Sequence, residues 1–241
     1  MKKMKKRVLF ILPIFLAICI FGMVYVVNAY QRNLSTNVNY PDIIAKVADE
    51  VISGKDLAIQ IELEKNKSEK IKQPKDYSFY EKVALKHLIT NILLDKDAEK
   101  RGLSVNKEEV LKYSNDTIKM IDAVDNNDPN KKELMNEIKS KGFSNIKDYM
   151  NDSTYIEVAK KVLAIAKLRN LIYSTTPRPT EEDIDNYIAK NHLEDAKHDL
   201  KIRESIRNLL FQQNKVNTWE KYLEELIQKS EFEVLVPINV K

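Results

Sequence analysis

Cysteine is almost absent from this 241-residue chain: the single one, Cys19, lies in an apolar N-terminal run, so the remainder has neither a disulfide nor thiol chemistry. Glycine (4) and proline (7) are scarce as well, and without breakers the many Lys, Glu, Leu, Ile and Ala residues favour long helices. Phosphate-cradling glycine loops are missing, and no serine sits in a nucleophile motif. A large charge of one sign is also missing. The formal net charge is +4, and five of the basic residues (Lys2, Lys3, Lys5, Lys6, Arg7) precede position 8, leaving the rest at −1. A near-neutral body argues against a nucleic-acid partner, which needs a strongly basic face.

Histidine is rare too. His87, His192 and His198 are dispersed. His192 and His198 flank Glu194, Asp195 and Asp199, but the spacing matches no zinc pattern, and a solvated loop is the simpler reading. Asn126, Asp128, Asn130 and Glu137 imitate the ends of an EF-hand loop, yet Lys131 stands where glycine is required and Pro129 falls inside. Acid pairs such as Glu108-Glu109 and Glu181-Glu182 fall in first helical turns, where they suit the macrodipole. No catalytic residue, metal site or cofactor is therefore expected.

The one long hydrophobic run is Val8 to Val27, twenty residues without a charge, long enough to span a bilayer as a helix. The basic segment 1–7 before it orients such an anchor with the rest outside the cytoplasm. Three outcomes stay open: an uncleaved signal-anchor, a signal peptide cleaved after Val27-Asn28-Ala29, or lipidation at Cys19. All three make the body extracytoplasmic. Residues 28–41, polar and ending in Pro41, read as a linker, and 42–241 as the helical domain.

Ala84 to Val110 is the stretch around which that domain is organised. Leu85, Leu88, Ile89, Ile92, Leu93 and Ala98 share one helical face. Gly102 then supplies a positive-φ stop, and Asn106 restarts a helix with Glu109 completing a capping box. A helix this apolar needs cover, and helices at Asp152–Ile172 and Leu200–Gln228 carry matching stripes. Upstream, Ile43 to Val47 reads as a short strand, Asp49-Glu50 as a turn and Val51-Ile52 as the return. Ser53 caps a helix, with Asp56 as its partner, despite the strand-like alternation of Leu57, Ile59, Ile61 and Leu63. Lys65 to Tyr77 reads as loop or frayed helix end. A helix from Lys107 to about Val124 directs Val110, Tyr113, Ile118 and Ile121 to one side. Asp128-Pro129 starts the next helix, which ends at Gly142, and Phe143 to Met150 forms a short one. After the TTPRP break at 175–179, Thr180 and Asp183 start a helix that turns Ile184, Tyr187 and Ile188 inward. The tail Glu231 to Val236 alternates like a strand, and its only candidate partner is Ile43 to Val47, so the two ends of the domain should pair.

Three blocks of this pattern resemble the N-terminal domain of SurA and the foldase domain of PrsA, secreted chaperones built around a parvulin-type prolyl isomerase. VADEVISGKDL is similar to that family's opening through Val47, Ile52, Ser53 and Leu57, with Ala48-Asp49 in place of the usual Asn-Gly turn. Ala84 to Val110 is similar through Ala84, Leu85, Leu88, Ile89, Leu93, Leu94, Ala98, Gly102, Val105, Glu109 and Val110, with Gly142-Phe143 and Tyr149 following. The third block is PTEEDIDNYIAKN and the segment from Ile202 to Val234. The resemblance implies a mainly α, SurA N-domain-like chaperone fold with a short β pairing of its terminal strands, preceded by one transmembrane helix. It implies binding of unfolded or secreted polypeptides. Where the isomerase domain belongs, only HLEDAKHDLK is found, too few residues for a domain, so isomerase activity and enzymatic function are not expected. Tyr80, Tyr155, Tyr187, Phe211, Trp219 and Tyr222 are candidates to line a peptide groove, although aromatic residues at helical spacing are more often core. Alternatives are an anchored interaction protein for one folded partner, a homodimer among them, or a divergent member of the isomerase class.

Overall fold

A computed structural model describes residues 40–193 and 197–238. The apolar run Val8 to Val27 and the start of the linker lie outside the described residues, and among those described no helix is long and apolar enough to cross a membrane. The chain forms two compact units: the described part of Met1–Ile165 with Glu231–Val240, and Ala166–Ser230.

The first unit begins with β1 (Ile43–Val47) and β2 (Glu50–Ser53), an antiparallel hairpin. Its turn is Ala48-Asp49 rather than Asp49-Glu50, because Glu50 already pairs with Val47. Ala48 has φ +54°, a left-handed conformation that an L side chain adopts at a cost. A bulge between Ile43 and Ala45 breaks strict alternation, so Ile44 and Ala45 are both fully buried. The expected pairing of the ends is present. β3 (Phe232–Val234) lies antiparallel on the other side of β1, with Ala45 opposite Val234, Lys46 opposite Glu233 and Val47 opposite Phe232. β1 is thus the central strand, and its alternation carries Val47 to the core and Lys46 to solvent, where it meets Glu233 at 3.8 Å.

Ser53 ends β2 and caps α1 (Gly54–Lys70) with a capping box: its hydroxyl accepts from the Asp56 N–H, and the Asp56 carboxylate accepts from the Ser53 N–H. Leu57, Ala58, Ile59 and Ile61 are all buried. The alternation in the sequence thus belongs to a helix apolar on most sides, enclosed by the sheet and its neighbour helix. That helix is α2 (Tyr77–Lys100), capped by Asp76 and stopped by Gly102 at φ +68°. Leu85, Ile89, Leu93, Leu94 and Ala98 are buried, with Leu88 and Ile92 at the margin. Within this unit its principal cover is α1 and the β1–β2 hairpin. Lys96 ties it to Asp49 in the turn at 2.7 Å, and Lys161 reaches the buried Asp95 at 2.8 Å.

Asn106 and Glu109 form the second capping box at the head of α3 (Lys107–Asp122). Its inward face is Val110, Ser114 and Thr117, while Tyr113, Ile118 and Ile121 are only half-buried. This departs from the stripe read from the sequence. Two hydroxyls are carried into the interior, where α3 meets α5. α4 (Pro129–Ser140) starts on Asp128 with Pro129 at its first position, and Gly142 (φ +91°) follows its end. α5 (Ile146–Met150) is short and buries Ile146, Tyr149 and Met150. α6 (Ser153–Ser174) buries Tyr155, Ile156, Ala159, Ala164 and Ile165 in its first part, whereas Leu171 near its end is 42 % exposed.

In the second unit, α7 (Glu181–Lys190) opens on a Thr180–Asp183 capping box and packs on α8 (Leu200–Lys229). Ile184, Ile188 and Ile206 form its core, with Tyr187 and Leu210 against them. Arg203 holds Glu181 and Asp185 at 2.6 Å each, and Arg207 also pairs with Glu181. These contacts hold the Glu181 carboxyl below the usual range.

Candidate functional site

The chemistry-bearing side chains of the second unit collect where the end of α6, the 175–179 break and the middle of α8 meet. α8 presents Phe211, Lys215, Trp219 and Tyr222 at steps of four, four and three, one continuous face. α6 offers Arg169, Asn170 and Tyr173 at the same kind of spacing. Proline at 177 and 179 ends α6 and forces the chain into an extended segment. That segment is pinned to α8 by Asn214, whose Nδ2 donates to the Pro177 carbonyl at 3.3 Å.

The result is an open pocket of about 380 Å³ lined by Asn170, Tyr173, Thr176, Arg178, Phe211 and Lys215. Rings and cations alternate around it. The Lys215 ammonium stands 4.5 Å from the Phe211 ring centre and 5.8 Å from that of Tyr173. The Arg178 guanidinium is 5.9 Å from Phe211. Behind the pocket wall, Tyr173 meets Trp219 edge to face at 6.4 Å, Trp219 stacks on Tyr222 at 5.3 Å, and Arg169 covers Trp219 at 5.0 Å. Each such cation–ring contact contributes about 0.5–1 kcal/mol at an exposed site, and orients the cation without neutralising it. Among the described residues, no carboxylate lies within ion-pair distance of Arg169, Arg178 or Lys215. Thr176 is 7 % exposed, and its hydroxyl has no hydrogen-bond partner. The neighbouring Ser174 hydroxyl already donates to the Leu171 carbonyl.

The six aromatic candidates separate. Phe211 lines the pocket, and Trp219 and Tyr222 back it through Tyr173. Tyr187 packs on the α7–α8 core. Tyr80 and Tyr155 lie in the interior of the first unit, 4 % and 1 % exposed. The Tyr80 hydroxyl accepts from the Lys75 N–H at 2.8 Å. Burial pushes the Tyr155 hydroxyl up to about 12, with Ser114 beside it offsetting part of the effect. Arg178, Lys215 and Thr176 were not singled out from the sequence. The available signal was Phe211–Lys215–Trp219 at consecutive steps of four, opposite the only proline-rich break in the body.

Among the described residues no group of His, Cys, Asp and Glu is arranged to hold a metal ion. A family model described as SurA-like N-terminal domain matches residues 1–133. That span contains β1, β2, α1, α2 and α3; the pocket lies beyond it. No curated protein and no solved structure matches the chain.

Proposed function

The chain belongs to the SurA-like N-terminal domain family, a chaperone-like module, and from that premise we propose that it is a holdase or foldase for unfolded and secreted polypeptides, anchored to the membrane by Val8 to Val27, extracytoplasmic, and without prolyl isomerase activity. The observation that carries the binding role is an apolar stripe left open on α8. Ile202, Leu209 and Val216, seven residues apart, fall on one side of the helix and are 42 %, 43 % and 50 % exposed. Such a row offers weak, sequence-tolerant contacts to an extended chain. The lack of isomerase activity is supported by the α7–α8 hairpin. Nine residues, 191–199, join the two helices, too few to form a parvulin domain between them, and Arg203 bridges α7 and α8. The anchored, extracytoplasmic placement rests on the basic head and apolar run of the sequence alone.

The test is fluorescence anisotropy of a labelled, permanently unfolded polypeptide against the full chain in non-ionic detergent, with the same polypeptide folded as control. Binding of the unfolded form only, weakened at least fivefold in an Ile202→Ser, Leu209→Ser, Val216→Ser variant of unchanged helicity, is expected. Equal binding of both forms, or of neither, overturns the chaperone reading, and a single tight folded partner in its place establishes the interaction-protein alternative. Catalysed isomerisation of a proline peptide refutes the non-enzymatic part.

A further inference from the structure

The second unit holds two cations that are oriented but not neutralised, and one buried hydroxyl without a partner, all on one pocket. Lys215 and Arg178 sit over the Phe211 ring at 4.5 and 5.9 Å, and a ring face fixes a cation's position while leaving its outer side able to donate. Thr176, 93 % buried, lines the same pocket, and its hydroxyl has no hydrogen-bond partner. An unpaired buried hydroxyl costs on folding, and a ligand that accepts from it recovers that cost. No acid is among the residues lining the pocket. Two cationic donors, one neutral donor and two ring faces suit a planar anion carried on an apolar body. A guanidinium fork matches a carboxylate bidentately.

The geometry points to a carboxylate-binding subsite for polypeptide clients at Thr176, Arg178 and Lys215, with Phe211 and Tyr173 receiving the side chain next to the charge. This deepens the chaperone reading and rests on it for the nature of the client. The carboxylate has two sources in a polypeptide, the C-terminal group and an Asp or Glu side chain.

Trp219 is the only tryptophan in the chain, and it touches Tyr173 of the pocket wall. Its emission therefore reports on the site in the full chain held in non-ionic detergent. Three short tyrosine-free and tryptophan-free peptides serve as probes: Phe-containing with a free C-terminus and no acid, C-terminally amidated with one internal Glu, and amidated with no acid. Saturable change of Trp219 emission with either carboxylate peptide, at least tenfold tighter than with the third, is expected, and the stronger of the two names the source. Arg178→Gln with Lys215→Gln should remove that preference, Thr176→Val should weaken it about threefold, and added salt should weaken it in the native chain. Equal response to all three peptides overturns the subsite. So does an equal or larger response to inorganic phosphate, or to vesicles of anionic lipid with no response to the peptides. Because the unfolded-client assay reads the α8 stripe, client binding that survives in the Gln double variant without a carboxylate preference in the native chain refutes this inference alone.

Discussion

Acidifying the protein from about pH 5 to about pH 2 should withdraw one identifiable support from the α1–α2 pair. Glu64 on α1 is buried, its carboxylate 10 % exposed. One oxygen accepts from Gln60 at 2.7 Å, Lys67 at 3.0 Å and His87 Nδ1 on α2 at 3.0 Å. A carboxylate only accepts, so Nδ1 must carry the proton. Burial pushes the Glu64 carboxyl upward, but the hydrogen bonds and charges of His87 and Lys67 outweigh it and bring it from the ordinary 4.5 to about 2. The sign follows from proton binding. Below 4.5 the unfolded chain takes up a proton that the folded chain refuses until about 2, so stability falls through that window and the contribution is lost below it. The gap of about 2.5 corresponds to on the order of 3 kcal/mol. Half-exposed His87 and exposed Lys67 are screened by water, which reduces the expected contribution to about 2 kcal/mol. Denaturant unfolding of the full chain, followed by circular dichroism at several pH values, measures it for the native sequence and for Glu64→Gln. The native chain should lose about 2 kcal/mol more than the variant between pH 5 and 2. Parallel losses in the two proteins would refute the reasoning, because other carboxylates contribute equally to both.

Two turn positions should respond in opposite directions. Gly102→Ala meets nothing within 4 Å but forces a side chain to φ +68°, costing about 1 kcal/mol, whereas Ala48→Gly relieves φ +54° and should gain about 0.5–1 kcal/mol; denaturant midpoints read both. Gly54→Ala should cost more than Gly102→Ala, since its Cβ would collide with the Pro41 carbonyl oxygen and lie 2.6 Å from Tyr40 Cβ, and the 40–41 segment has to move. Leu93→Asp places an unpaired charge at a position 6 % exposed and should unfold the first unit, seen as loss of helical circular dichroism at room temperature. A folded Leu93→Asp protein would show that α2 is not core.

What the sequence determined by itself is whatever depends on neighbours a few residues away. The capping boxes at Ser53–Asp56, Asn106–Glu109 and Thr180–Asp183 stand where their residue types put them, because an N-cap is a local hydrogen-bond exchange. The pairing of the two ends was also legible, since a lone tail strand had one partner available. Tertiary structure decided what an apolar stripe cannot encode, namely which other stripe covers it. Leu85, Ile89 and Leu93 are compatible with any apolar face, and α1 with the hairpin covers them because a short connection brings α1 back first. The same indifference hid the aromatic residues' roles. Burial is set by surrounding volume, so Tyr155 became interior and Phe211 lines the pocket. The pocket itself joins Thr176 and Arg178 to Lys215 across nearly forty residues, and only packing of the 175–179 break on α8 brings their charges and the free hydroxyl to one place.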